Sequence, residues 1–235
     1  MNKTILITGI SKGIGRAIAE IFAANGFNIA GCARDKTTLD NFKTELWNKF
    51  PGQKFLFSTC DVTDKADLND FAIDVLSEFD KIDVLVNNAG KFLPGQITNE
   101  EDGTFEKMMA LNVSSAYHLS RKIVPQMIKN KSGHVFNLAS IASITAYNNG
   151  GSYCISKFAM HGFSKVLREE MKPHNVKVTS ILPGATFTSS WEGTELPPSR
   201  FMKPEDVANI VWSAYNLSEN CDVEEIVLRP QLGDI

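Results

Sequence analysis

The chain has no long apolar run, no marked excess of either charge and few cysteines, and each shortage removes a class of protein. No stretch approaches the ~20 consecutive apolar residues that a bilayer-spanning helix needs, so no membrane association is expected. Asp and Glu number 27 against 24 Lys and Arg, a formal charge of −3, which offers no basic surface to nucleic acid or to an anionic membrane. The four cysteines, at 32, 60, 154 and 221, have no paired spacing; they read as reduced thiols of a cytoplasmic protein, and neither as a disulfide framework nor as a zinc site. Internal repeats, low-complexity tracts and Gly/Ser/Pro-rich linkers are also missing, so one domain over residues 1–235 is expected. Met1-Asn2-Lys3 leads straight toward the first strand without a signal-peptide h-region, which agrees with a cytoplasmic chain.

What is present is an ordinary globular composition, 43% hydrophobic and 22% charged, in a chain long enough for an ample core. Strand-like runs alternate with helical stretches, the pattern of a parallel sheet covered on both faces. Seven strands are predicted: Thr4 to Ile7, Phe27 to Cys32, Lys54 to Ser58, Val84 to Asn87, His134 to Leu138, Lys177 to Ile181 and Glu225 to Leu228. Helices are predicted over Thr104 to Lys129, Tyr153 to Lys172 and Pro204 to Asn216, the last with proline suited to a first turn.

The first strand runs at once into Thr8-Gly9-Ile10-Ser11-Lys12-Gly13-Ile14-Gly15, followed by apolar residues at 14, 17, 18, 21 and 22 and a closing Gly26. The order is strand, glycine turn, helix. Such a turn aims backbone N–H groups and the positive end of a helix at a pyrophosphate. The spacing is Gly-x-x-x-Gly-x-Gly and not Gly-x-Gly-x-x-Gly, and an ordinary tight turn is the rival reading.

Tyr153 and Lys157 stand four apart, hence on one face of the predicted helix, thirteen residues after Ser140. A unit charge about 4 Å from a phenol, at an effective dielectric near 20, is worth roughly 4 kcal/mol. That is about three pKa units, enough to bring a phenol from near 10 toward neutrality, where general acid and base work is efficient. Alone, the pair is a common accident of amphipathic helices.

Taken together, the glycine turn, Asp61-Val62, Asn87-Asn88-Ala89-Gly90, the Ser140/Tyr153/Lys157 set and Pro183-Gly184 occur in the order of a known family. The whole chain resembles a single-domain short-chain dehydrogenase/reductase, closest in character to bacterial sepiapterin-reductase-like members. The resemblance implies a Rossmann-type doubly wound, seven-stranded parallel sheet with helices on both faces. It implies Ser140, Tyr153, Lys157 and Asn112 as catalytic residues: Tyr153 giving a proton to the carbonyl oxygen, Ser140 hydrogen-bonding that oxygen, Lys157 holding the nicotinamide ribose and lowering the phenol's pKa, and Asn112 anchoring a water that links Lys157 to solvent.

By the same resemblance the cofactor would touch Gly9, Ser11, Lys12, Gly13, Ile14 and Gly15 in the first turn, with Asp61 and Val62 flanking the adenine. Asn88, Ala89 and Gly90 would lie along the ribose, although Asn87 or Asn88 could equally be a turn former. Pro183, Gly184, Thr186 and Thr188 would reach the carboxamide or phosphates, Thr186 through its backbone. After strand two, Ala33 takes the place of the acid that selects NAD, and Arg34 with Lys12 implies a clamp on a 2′-phosphate. NADP(H) is therefore expected over NAD(H), with Asp35 pulling the other way.

Residues 185–203 form the least regular stretch and follow a strand's carboxyl end, where ligands bind in open α/β sheets; a substrate lid is expected there. Within it Trp191 is either a stacking surface for a planar substrate or a plug that anchors the loop, and Tyr147 is a further substrate candidate. The expected activity is NADPH-dependent reduction of a small ketone, dicarbonyl or pterin side chain. Alternatives are reduction of a 3-oxoacyl thioester on acyl carrier protein or CoA, and, from another class, an NADPH-sensing binding protein without turnover. The resemblance also implies a homodimer or homotetramer paired through the helices that hold Asn112 and Tyr153.

Overall fold

A computed structural model describes residues 2–235, so the reading of Met1 lies outside the described residues. All seven predicted strands form: β1 Thr4–Thr8, β2 Asn28–Ala33, β3 Phe55–Thr59, β4 Val84–Asn87, β5 Gly133–Leu138, β6 Val176–Pro183 and β7 Glu225–Leu228. They make one sheet in the order β3-β2-β1-β4-β5-β6-β7, every pair parallel. Because the chain first steps outward from β1 to β3 and then returns to lay β4 beside β1, a crevice opens at the carboxyl ends of β1 and β4. That reversal is the switch point of doubly wound sheets.

Parallel strands need crossovers, and here helices supply them on both faces. On one face, α1 (Gly13–Ala24), α2 (Lys36–Lys49) and α7 (Pro204–Tyr215) bury Ile18, Phe22, Leu39, Phe42, Leu46, Val207 and Val211 against the sheet. On the other, α3 (Lys65–Glu78), α5 (Ser115–Asn130) and α6 (Gly151–Met171) bury Phe71, Val75, Leu119, Ile123, Met127 and Leu167. The apolar spacing read for α1 is the face that packs. Phe22 on it is fully buried, with Phe27 and Trp212 edge-on to its ring at 5.0 Å each; truncating such a ring to alanine costs about 3–5 kcal/mol. Gly26 follows α1 at φ +85°, the left-handed position that ends a helix.

One predicted element differs. The helix expected over 104–129 is broken into α4 (Thr104–Met109), a π turn over Ala110–Ser114, and α5. Asn112 lies buried in the π turn. Single π turns recur at functional sites. Among the described residues no helix is long and apolar enough to cross a membrane.

Candidate active site

Four parts meet at the carboxyl edge of the sheet: the glycine turn after β1, the 87–91 segment after β4, Ser140 after β5, and the first turns of α6. The glycine turn is held from behind. Gly9 and Ile10 donate backbone N–H groups to the Cys32 carbonyl at 2.9 and 3.2 Å, and Gly9 and Gly13 take φ of +69° and +58°, which side chains resist. Gly15 faces the Gly9 carbonyl and the Asn88 amide too closely to carry a side chain. Ser11 is buried and Ile14 half-buried, while Lys12 is exposed at the N-cap of α1. No side chain caps α1 and no acid lies in its first turn. By contrast, α2 is capped by Asp35, which accepts from Thr38 N, and α3 by Asp64, which accepts from Ala66 and Asp67 N. The first turn of α1 therefore keeps unsatisfied donors and a positive helix end, the arrangement that receives an anion.

Asn88 does more than form a turn: its amide donates to the Thr8 and Gly9 carbonyls at 2.9 and 3.1 Å, while Asn88 and Ala89 N–H groups donate to Thr8 Oγ1. It thus welds β4 to the glycine turn. Asn87 is buried between strands and helix, donating to Asn137 Oδ1 and Ser120 Oγ, so the turn-former reading fails for it. Gly90 lies beside the Asn112 carbonyl oxygen and the Lys157 ammonium; a Cβ there would meet them at 3.1 and 3.6 Å.

Ser140 is buried, its N–H donating to Ser143 Oγ and its own Oγ accepting from Ala142 N at 3.1 Å. Tyr153 and Lys157 share a face of α6 as read from their spacing, but the net shift of the phenol runs opposite to the one expected. Lys157 is 6% exposed, its Nζ donates to the Leu138 carbonyl at 2.8 Å and stands 5.8 Å from the centre of the Tyr153 ring. Burial lowers the Lys157 pKa to about 8. Burial also raises the Tyr153 phenol above its ordinary value, with the Ser140 hydroxyl working the other way. Helical spacing fixed the pairing; desolvation, which spacing does not report, fixed the sign.

Asn112 is held on both sides of its amide. Its Oδ1 accepts from Lys91 N at 3.0 Å, and its amide donates to the Lys91 carbonyl and to Ser156 Oγ at 3.2 and 2.9 Å. Both amide protons are spent on the chain, so the side chain clamps the 90–91 segment.

At the adenosine end, Asp61 accepts from Thr63 N and Oγ1, which holds its carboxyl below the usual range, and Val62 is buried. Arg34 is exposed near Asp61. Asp35, which opposed an NADP reading, is occupied: it accepts from Thr38 N at 2.6 Å as the cap of α2. Gly184 donates to the Leu228 carbonyl at the end of β6 beside Pro183; Thr186 is buried and donates to the Gly184 carbonyl, and Thr188 lies over Gly13.

Trp191 packs on Phe201, ring centres 4.9 Å apart, and borders a hollow of about 360 Å³ with Gly13, Arg16, Thr188 and Pro204. Trp191 is half-buried, so Phe201 holds one part of its ring while the rest faces the hollow beside the glycine turn. Tyr147 is half-exposed beside Cys154, its phenol pushed up by burial and by Tyr153, so it lies on the wall near the Tyr153 hydroxyl. Phe92 was missed. Its ring meets Tyr153 edge-on at 4.9 Å, and no periodicity marks it. Ser156 lies between Tyr153 and Lys157, and only the fold reveals that it ties Asn112 to the Tyr153 carbonyl.

The sequence model described as short chain dehydrogenase matches residues 3–196. The chain belongs to the short-chain dehydrogenase family, and is an oxidoreductase by that membership. Among the relatives of this short-chain dehydrogenase is a sepiapterin reductase of Chlorobaculum tepidum, 33% identical over 241 residues that cover 100% of this chain and 99% of the relative. Among solved structures, an alcohol dehydrogenase of the archaeon Thermococcus sibiricus, complexed with 5-hydroxy-NADP, superposes with a TM-score of 0.91 at 26% identity, covering 98% of this chain and 97% of that one. L-sorbose reductase of Gluconobacter frateurii, complexed with NADPH and L-sorbose, gives a TM-score of 0.88 at 30% identity, with coverage of 97% and 95%.

Proposed function

We propose that this short-chain dehydrogenase uses NADPH to reduce a carbonyl of a small molecule, a ketone, dicarbonyl or pterin side chain, with Tyr153 as general acid. The observation that carries the reading is the meeting of Ser140, Tyr153 and Lys157 with a bare helix N-terminus at one end of one sheet. The residues present fit a dinucleotide: the donors of the first turn of α1 have no protein acceptor in a side-chain cap, and Gly9 and Gly13 leave the turn free of side chains. Gly9 through Gly15 would hold the pyrophosphate, Lys12 and Arg34 the 2′-phosphate, and Asp61 and Val62 the adenine. Ala89, Gly90 and Lys157 would face the riboses, with Pro183, Gly184, Thr186 and Thr188 at the carboxamide end. When bound, the cofactor supplies the hydride.

The rest is the chain's own work. Ser140 holds the substrate oxygen by its hydroxyl, and Tyr153 passes its phenolic proton to that oxygen. A phenol raised by burial stays protonated throughout the neutral range, which suits reduction; alcohol oxidation needs the phenolate and is favoured only at higher pH. Lys157 is cationic below about 8 and lies under the phenol, ready to offset the charge left when the proton departs. Phe92, edge-on to the Tyr153 ring, covers one side of the phenol. Residues 185–203 act as the lid, with Thr188 over the glycine turn.

Support for a small polyfunctional carbonyl substrate comes from the relatives named for sepiapterin and for L-sorbose. Exposed Tyr117, Phe158 and Val166 on α5 and α6 support pairing of two copies, which sedimentation tests. The activity is tested by loss of NADPH absorbance with a panel of diketones, sugar ketones, pterins and 3-oxoacyl thioesters. Turnover is expected on the first three; turnover on thioesters alone replaces the substrate class, and NADPH binding without turnover on any member overturns the enzyme reading in favour of a sensor.

A further inference from the structure

Helix α6 carries Tyr153 and Lys157, yet its own N-cap, Gly150, provides no side-chain acceptor. The missing cap arrives from fifty residues away. Glu100, in the loop between β4 and α4, accepts from the Ser152 N–H at 2.8 Å with one carboxylate oxygen and from the Ser152 hydroxyl with the other. Two glycines make room for it: a Cβ on Gly95 would stand 2.6 Å from Glu100 Cγ, and one on Gly151 would run into Glu100 Oε1. Gly95 also donates to the Asn149 carbonyl at 3.0 Å, so the two loops are laced together on either side of the carboxylate. Ser152 is 3% exposed and adjoins Tyr153, while the loop that Glu100 anchors carries Phe92 against the Tyr153 ring.

We propose that Glu100 is a positioning residue for the reaction: it fixes the first turn of α6 and the Phe92 wall as one unit, and so sets where the Tyr153 hydroxyl stands relative to Ser140. The inference rests on the reductase reading for its kinetic arm only. A carboxylate at a helix N-terminus is favourable through both its hydrogen bonds and the helix dipole. Its placement one residue before the proton donor makes its effect catalytic as well as structural, because displacements of about 1 Å at a reacting group cost on the order of a hundredfold in rate.

Four variants test it. Glu100→Ala is expected to lower kcat at least about tenfold while leaving the KM and Kd for NADPH within about twofold. Glu100→Gln, which can still accept from the Ser152 N–H and reach its hydroxyl, is expected to restore most of the rate. Gly95→Ala, which keeps the carboxylate but displaces it, should reproduce the loss, and the double variant Gly95→Ala/Glu100→Ala should be no worse than either single one. Hydrogen exchange reads the clamp without turnover: the Ser152 amide should lose protection in Glu100→Ala and keep it in Glu100→Gln. Unchanged kcat in folded Glu100→Ala, additive losses in the double variant, or a proportional fall in NADPH affinity would overturn the proposal. Should the wild-type chain reduce nothing in the panel, the failure belongs to the reductase reading, and unchanged Ser152 exchange in Glu100→Ala would independently sink the clamp. If Glu100→Ala does not fold, Gly95→Ala carries the same comparison, and Ser152→Ala, which keeps the N–H bond to Glu100 and loses the hydroxyl one, should lose rate by a smaller factor; unchanged kcat in both overturns the proposal.

Discussion

Two helices begin at the carboxyl edge of the sheet, and their first turns are treated in opposite ways. The first turn of α1 has no side-chain cap and no acid, whereas that of α6 is capped by Glu100 from a remote loop. A helix start that must receive an anion keeps its donors free; one that must hold a phenol still has them satisfied by the protein. The contrast extends to α2 and α3, which carry no proposed chemistry at their first turns and are capped locally by Asp35 and Asp64.

The largest expected effect separates the two starts outright. Tyr153→Phe removes the proton donor without touching the α1 turn, so kcat should fall about 10²–10⁴-fold while NADPH titration gives an unchanged Kd. A variant that kept its turnover would remove Tyr153 from the mechanism and leave the α6 end without its assigned role.

Next in size is the cost of burying an ammonium at the α6 end. Lys157 titrates near 8 in the folded chain against 10.5 when free. Between those values the unfolded chain binds a proton at Lys157 that the folded chain does not, so this group's contribution to stability should rise with pH across that window, by up to about 3 kcal/mol. Lys157→Met should abolish that rise. It should also stabilise the fold at neutral pH by a smaller amount, since the Leu138 carbonyl loses its donor at a cost of about 1 kcal/mol. Cys32, Tyr147 and Tyr153, whose protons are held more tightly in the folded chain, titrate in the opposite sense over the same alkaline range, so the reading is the difference between wild type and Lys157→Met by denaturant titration on either side of the window; a difference that does not change across it contradicts the assignment.

Most of the sheet was legible because buried parallel strands are β-branched apolar runs between turn signals, and β1, β4 and β6 are such runs. The glycine turn was legible for the same local reason. What escaped depends on contacts between distant segments. The π turn at 110–114 lets Asn112 reach Lys91 and Ser156, partners 21 and 44 residues away. Glu100 acts across 52 residues. The direction of the Tyr153 shift turns on burial by loops whose packing no spacing encodes, and the contact of Trp191 with Phe201 likewise joins segments that no local pattern links.

A third change would make the α1 start resemble the capped ones. Lys12 occupies the N-cap with extended backbone, so Lys12→Ser should let a hydroxyl accept from the first turn and stabilise the free protein by about 1 kcal/mol. A bound pyrophosphate must then displace that cap, which weakens binding about fivefold. NADH gives the clean reading, because it lacks the 2′-phosphate that Lys12 is proposed to hold. Weaker NADH binding, by fluorescence titration, supports the bare-turn argument; loss confined to NADPH leaves Lys12 as a clamp alone.

The smallest effect is at α2, and it decides what Asp35 is for. An acid beside Arg34 at the end of β2 is suited to repelling a 2′-phosphate, yet its carboxylate is turned to Thr38 N at 2.6 Å, and the Thr38 hydroxyl together with that N–H holds its pKa low. If capping is its whole role, Asp35→Ala should lower Tm by only about 2–4 °C and leave the ratio of NADPH to NADH affinity unchanged. A carboxyl depressed in the folded state stabilises above its unfolded pKa and loses that contribution as pH falls through the folded value. The Tm gap between wild type and Asp35→Ala should therefore be full at neutral pH and narrow in acid. A rise in NADPH preference in the variant would instead show that Asp35 opposes the phosphate, and the distinction between a helix start kept for a ligand and one closed by the protein would not hold at α2.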